Sequence, residues 1–416
     1  MVQVRHDARY FWVVTLLAAA LLMVTMGLRQ SQGLFLSPMN TSTGLGIASI
    51  SLAMAIGQFV WGAVQPIAGA VADRYGPGRV LAAGVLILAL GSAITPLMST
   101  SAGLIFSIGI LVAAGSGTGS FSVLIGSAAR NLPAERRGMA SGVINAGGSF
   151  GQFVFAPISQ KLIATVGWMG AMWSLAIIAL AALPLARVLR GRPVHGSSQA
   201  AHAGSPAAAA LTDKGLRAAV RDALKDRSYL LLHAGFFTCG FHIAFLITHL
   251  PGEVELCGQT PQVASWSLAI IGLANIAGSL LAGWGTQIYR SKLILFWMYG
   301  SRALLILAFL AAPKTALTFY LFAAGLGLTW LATVPPTAAI VGKLFGGRYL
   351  ATLFGLTLLS HQTGAFFGAW LGGIAIVSLG DYTVMWYVDA GLAALAAIVN
   401  LPIREARIAP KLQAAT

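Results

Sequence analysis

Apolar stretches of 20 or more residues alternate with short polar segments along nearly the whole chain. A helix of about 20 apolar residues, rising about 1.5 Å per residue, crosses the ~30 Å hydrocarbon layer of a bilayer. The pattern predicts twelve spanning helices. In the first half they lie near 11–36, 46–72, 80–98, 103–129, 138–164 and 169–189, and in the second near 228–250, 262–286, 293–312, 315–342, 350–376 and 383–402. They are called span 1 to span 12. Residues 190–227, rich in Ala, Gly, Ser and basic side chains, break the hydropathy and read as a linker. The expected organisation is a first six-helix half over 1–190, a linker over 191–226 and a second six-helix half over 227–416. Arg5 and Arg9 ahead of the run from Phe11 imitate a secretory signal. That run continues to about Leu36 and many more follow it, so it reads as the first membrane helix.

Composition narrows the class. With 57% hydrophobic and 9% charged residues, against roughly a quarter charged in soluble domains, a soluble enzyme is excluded. The net charge of +15 would suggest nucleic acid if the basic residues shared one face. They fall instead in the segments between spans. With both termini in the cytoplasm, 22 of the 26 Lys and Arg lie on that side and only Lys161 and Lys314 lie opposite, leaving Arg29 and Arg302 within spans. That asymmetry fixes the expected orientation. Cys239 and Cys257 fall at different depths, so no disulfide framework follows. There is no G-x-x-x-x-G-K-[ST] phosphate loop, no H-E-x-x-H or paired-Cys metal pattern and no G-x-S-x-G elbow. No cofactor, metal or enzymatic activity is expected.

A shift of 213 residues superimposes parts of the two halves. Gly142/Gly355, Gly151/Gly364, Phe153/Phe366, Ala156/Ala369 and Gly167/Gly380 match in spans 5 and 11, and Thr25/Thr238, Gly27/Gly240 and Pro38/Pro251 match in spans 1 and 7. Six helices per repeat give both halves the same membrane orientation, with a substrate site expected between them near the midplane. The same offset lays Arg29 on His242, so the two are expected to face a common central space.

After span 2 comes Gly69-Ala-Val-Ala-Asp73-Arg74-Tyr-Gly76-Pro-Gly-Arg79, which resembles the loop signature of the major facilitator superfamily. The resemblance implies an all-α integral membrane fold of two parallel six-helix repeats that transports by alternating access, with Gly69, Asp73, Arg74, Gly76 and Arg79 as gating residues. In the copy after span 8, Gln287 stands in place of the acid, so the charged latch is expected in one half only. Within the superfamily, Gly27-Leu-Arg29-Gln-Ser-Gln-Gly33-Leu-Phe35, Thr333-Val-Pro335-Pro336-Thr337 and His361-Gln362-Thr-Gly364-Ala-Phe-Phe-Gly368 resemble the bacterial monocarboxylate-porter branch. That implies the inner (plasma) membrane of a bacterium. Better-known proton-coupled relatives carry an acid and an arginine in span 8, whereas this chain has Asn275 and Ser279.

An arginine in a span is expensive and faces the bundle interior or water. Its guanidinium can grip a carboxylate through two parallel hydrogen bonds, so Arg29 is the candidate anion ligand. Snorkelling or a neighbouring helix is the structural alternative. His361 and His242, near the centres of spans 11 and 7, are candidate substrate or proton groups; either is also a plausible packing residue. Asn275, Gln58 and Trp330 complete the candidate substrate-binding set, each equally able to bond a neighbouring helix. Arg302 of span 9 and Asp389 of span 12 share a depth and are expected to form a buried ion pair, the alternative being proton carriage by Asp389. The reading is a secondary active transporter of small organic anions, monocarboxylates foremost, by proton symport or anion exchange. Its partners are the anion, protons and the lipid bilayer, with no nucleic acid, and its oligomeric state is open. Efflux of hydrophobic or cationic compounds is the first alternative and a transport-inactive solute sensor the second.

Overall fold

The computed structural model describes residues 8–121, 123–124, 134–189, 216–346 and 349–405; most of the linker and the end of span 4 lie outside them. Among the described residues the chain is helical, without strands. Eleven helices are long and apolar enough to cross a bilayer. One of them, Ala134–Ala181, is interrupted at Gly167, whose φ of 73° lies in the left-handed region. Its two legs supply spans 5 and 6, so the described helices account for twelve crossings.

Local sequence sets where the helices start and bend. Gly76 has φ 89° and Pro77 opens the next helix. Glycine tolerates that dihedral and proline needs no N–H at a first helical position, so spans 2 and 3 are joined by a tight turn. Span 1 differs from expectation: Ala8–Gln30 continues through a 3₁₀ turn, Gln32–Phe35, into Leu36–Thr43. The longer crossing, 9–43, moves its midpoint toward residue 26. Arg29 therefore sits about 4–5 Å from the centre at helical rise, deeper than the shorter expected span implied. Span 10 is broken into Ala316–Thr329 and Val334–Phe345. Pro335 and Pro336 lack the N–H groups that would bond the carbonyls of Leu331 and Ala332. Span 4 stops its regular helix at Thr118, before Gly119, and the 213-residue offset lays Gly119 on Ala332, inside the break of span 10.

The repeat reappears in the packing. A side chain on Gly151 would strike the backbone of Met23 in span 1, and one on Gly364 would strike the backbone of Phe237 in span 7. Gly27 and Gly240 face spans 5 and 11 in the same way. Thr25 donates to the Leu22 carbonyl at 3.3 Å and Thr238 to that of Gly235 at 2.7 Å, again 213 residues apart. Small residues let these backbones approach closely, as membrane helices require in the absence of a hydrophobic driving force between them.

Between the first and last six spans, contact is uneven. On the face away from the termini, Gly33 abuts the carbonyls of Ile247 and Thr248, and Gly373 abuts Ser51. Near mid-depth, Gly62 meets the Gln362 side chain and Asn275 donates to Ser149 Oγ at 2.8 Å. Toward the termini, a methyl group on Gly69, Gly142, Gly283 or Gly355 would meet nothing within 4 Å.

These contacts predict that Gly240→Val and Gly364→Val each destabilise the protein by about 1–3 kcal/mol through overpacking. Gly142→Ala and Gly355→Ala should change stability by no more than about 0.5 kcal/mol. Thermal unfolding in detergent compares them; equal losses at all four sites would contradict the packing.

Candidate functional site

Arg29, in the last turn of Ala8–Gln30, is half-buried and directed at span 2. There Gln58 and Trp61, three residues apart, lie on one helix face. The guanidinium donates to Gln58 Oε1 and lies 4.2 Å from the Trp61 ring centroid. Both partners are buried and neutral. No carboxylate among the described side chains is in ion-pair distance of Arg29. A guanidinium carries five donors in a rigid fork, and the bond to Gln58 leaves capacity for an anion. Trp61 was not among the residues expected at the site, although its i+3 spacing from Gln58 was a signal that could have found it.

The expected meeting of Arg29 and His242 does not occur. His242 is turned into the last six spans, where its Nδ1 lies 2.5 Å from Asp389 Oδ2, and both side chains are 1% exposed. The expected Arg302–Asp389 ion pair is likewise not formed. Arg302 donates to the carbonyls of Thr329 at 2.5 Å and Trp330 at 3.3 Å, and its NH1 lies 3.7 Å from Cys239 Sγ. Equal depth did not imply equal azimuth: Arg302 serves the carbonyls released where span 10 breaks, the helix end at which a cation is most favourable.

Trp330 is fully buried, edge-on to His242 with centroids 5.9 Å apart, and forms no open aromatic wall. Asn275 donates to Ser149 and accepts from the Leu331 N–H at 2.9 Å and from Ser279 at 3.3 Å. It staples spans 5, 8 and 10, leaving little bonding capacity for a solute. His361 is buried against Phe236, 4.8 Å between centroids, and its Nδ1 lies 3.4 Å from Gln362 Nε2. No contact joins Arg29 to either histidine among the described residues. The structure thus brings together Arg29 with Gln58, His242 with Asp389, and Arg302 with Trp330.

Comparison with known proteins then places this arrangement. The Major Facilitator Superfamily model matches residues 15–330. The chain belongs to the major facilitator superfamily. Monocarboxylate transporter 13 of Rattus norvegicus is 25% identical over 409 residues, covering 95% of this chain and 90% of the relative. The oxalate:formate antiporter of Oxalobacter formigenes is 24% identical over 379 residues, covering 89% and 86%. An MFS-type transporter of Bacillus subtilis (strain 168) is 22% identical over 409 residues, covering 95% and 96%. Among solved structures, a D-xylose-proton symporter superposes with TM-score 0.71 at 14% identity, covering 95% and 98%. A bacterial homologue of the human lysosomal transporter Spinster, inward-facing and unoccupied, gives 0.67 at 16%, covering 95% of both chains. These likenesses show the fold. The protein is a multi-pass membrane transporter of this superfamily, not an enzyme.

Of the superfamily's loop residues, Gly76 makes the turn, Gly69 faces open space, Arg74 lies 5.3 Å from the Tyr75 ring and Arg79 is exposed. The Asp73 side chain lies outside what is described. In the second half Gln287 replaces the acid, yet a carboxylate is present from elsewhere in the chain. Glu405, beyond span 12, accepts from the N–H groups of Ser291 and Lys292, both at 2.9 Å, and pairs with Lys343 at 2.5 Å. It caps the start of span 9, where an anion is favoured by the helix dipole. Nearby, Arg404 pairs with Asp226 and its N–H donates to Ser228 at 3.0 Å, tying the chain after span 12 to the start of span 7. Sequence reasoning missed Glu405 because more than 110 residues separate it from the helix end it caps.

Arg302→Met should cost about 1.5–3 kcal/mol per lost charged hydrogen bond, and exchanging the charges of Arg302 and Asp389 should not restore stability; rescue by the exchange in a thermal-unfolding assay would reinstate the ion pair. Burial works to raise the Glu405 carboxyl, but the Lys292 N–H, the Lys343 ammonium and the Ser291 N–H together hold it below the usual carboxylate range. Its folded value being depressed, the stabilisation is present above the unfolded value of about 4.3 and is lost as pH falls through the folded one. Glu405→Gln should therefore melt below wild type at neutral pH, with the gap closing in acid.

Proposed function

We propose that this protein transports small organic anions, monocarboxylates foremost, by alternating access of residues 1–190 and 227–416 about a central site, with 191–226 as the link. One observation carries the reading: Arg29 is held near mid-bilayer by a neutral amide and an aromatic face, with no described carboxylate as counter-ion. A membrane-embedded cation without a protein anion favours an anionic solute and disfavours a cationic one. The names of the rat and Oxalobacter relatives, a monocarboxylate transporter and an oxalate:formate antiporter, point to the same substrate class. Gln58 and Trp61 position the guanidinium, and Gln362, packed on Gly62 one turn from Gln58, is a polar contribution from the second half. The basic asymmetry of the loops supports both termini in the cytoplasm, and the resemblance to bacterial porters supports a bacterial plasma membrane. In that orientation the contacts of Gly33 with span 7 and of Gly373 with span 2 lie on the external side.

The test is counterflow of radiolabelled formate, acetate, lactate and pyruvate in vesicles holding the purified protein. Carboxylate uptake is expected in wild type, with apparent affinity falling about 10- to 150-fold in Arg29→Gln, the equivalent of one or two charged hydrogen bonds. Arg29→Lys should lose less. Uptake of cationic or bulky apolar solutes alone, unchanged by Arg29→Gln, would overturn the reading.

A further inference from the structure

Asp389 and His242 form a pair enclosed within spans 7 and 12, and each keeps one polar atom without a protein partner: Asp389 Oδ1 and His242 Nε2. With Nδ1–H donating to the carboxylate, Nε2 of a neutral imidazole is a bare acceptor. The charged and titratable groups around it are few. Span 9 brings Arg302 and Tyr299, span 10 brings the neutral Trp330 and Thr333, span 11 brings His361, span 12 brings Asp389, and span 7 itself carries Cys239 one turn away. Arg302 and Asp389 cancel, so the cluster is neutral with neutral His242 and carries one net positive charge once the ring is protonated.

The pair is also connected to the boundary between the halves. Cys239 Sγ lies 3.3 Å from Thr333 Oγ1, and Gly240 beside it packs on the backbone of His361. His361 touches Gln362, Gln362 lies on Gly62 of span 2, and Gly62 is one turn from Gln58, which holds Arg29. Neighbouring packed residues thus lead from span 7, which carries His242, to the candidate anion site, and this succession is called the seam.

We infer that the His242–Asp389 pair is a proton-binding site coupled to that seam. A proton from water adds to His242 Nε2, forming an N–H bond and an imidazolium whose charge is shared with Asp389; release to the opposite side reverses the step. The unbalanced positive charge is costly in a low-dielectric bundle. An anion bound at the other end of the seam offsets it, and by reciprocity each ligand raises the affinity for the other. Proton and anion enter as a neutral pair, so loading leaves the net charge of the buried groups unchanged, which makes symport the consequence. The coupling rests on the anion reading; the proton site does not.

The experiment counts protons taken up by the detergent-purified full chain, weakly buffered and followed with a pH indicator, between about pH 8 and about pH 5.5, the range in which histidine titrates. Wild type should bind about one proton more per chain than His242→Gln or Asp389→Asn, and the double variant should lose no more than either single one, because a coupled pair titrates as a unit. Asp389→Glu should restore the uptake, which a purely structural role would not require. In vesicles with labelled lactate, the ratio of pH-gradient-driven accumulation to counterflow should fall about tenfold or more in His242→Gln. Equal proton uptake by wild type and His242→Gln, or additive losses in the double variant, overturns the proposal. Should His242→Gln fail to fold, ¹⁵N-histidine NMR of wild type reads the same step as an Nδ1–H ring gaining its second proton; the absence of any such ring overturns it equally. Missing proton uptake in the variants without carboxylate flux in wild type would keep the proton site and remove the anion reading.

Discussion

A charge inside a bilayer has to be answered by something the protein itself provides, because no water is at hand to solvate it. Three such charges decide how this molecule is built. Arg302 is answered by the carbonyls of Thr329 and Trp330, which span 10 releases where it breaks. Asp389 is answered by His242. Arg29 is answered by an amide and an indole face, neither of which carries charge. Among the described residues Arg302 and Asp389 are thus answered within the second half, whereas Arg29 has no carboxylate partner, and the functional proposals rest on that inequality.

The break in span 10 and the position of Arg302 are two sides of one constraint. Pro335 and Pro336 remove donors that the carbonyls upstream would have used. The carbonyls of Thr329 and Trp330, at the end of the helix before the break, need another donor in a membrane, and a cation one helix away is a strong one. The charge is thereby held away from Asp389, which leaves the carboxylate to the imidazole. Had the two formed an ion pair, the carbonyls would lack their cap and His242 would have no acid to fix its tautomer. The competition between backbone and carboxylate for one guanidinium sets which groups can take part in proton chemistry.

The spans, their approximate ends and the internal repeat were legible because hydrophobic length and a constant 213-residue offset are properties of the linear chain. Gly151 on Met23 and Gly364 on Phe237 carry that offset into the packing to within one residue. Of the mid-span residues singled out, Asp389 and His242 do meet, though with each other and not with the partners expected of them. Azimuth was not legible. A stretch that is apolar all round carries little periodic signal of which face meets which neighbour, so three residues at compatible depth were paired in the wrong combination. Glu405 was hidden for a different reason. It belongs to the chain beyond span 12 but acts at the start of span 9, and nothing local to either segment announces the contact.

The repeat explains why the two halves can resemble each other in packing and differ in chemistry. Glycines at matched positions fix how span 1 lies on span 5 and span 7 on span 11, and backbone contact of that kind tolerates no substitution by larger residues. The positions that carry charge are under no such steric constraint: Arg29 and His242 occupy equivalent places in the repeat, yet one faces span 2 and the other span 12. At this pair of equivalent sites one half presents a cation with no carboxylate partner among the described residues and the other a base paired with an acid. In a carrier built this way, the two ligands of a symport reaction need not share a pocket. On the proposed reading they need only act on groups that meet across the boundary between the halves, where Gln362 lies on Gly62.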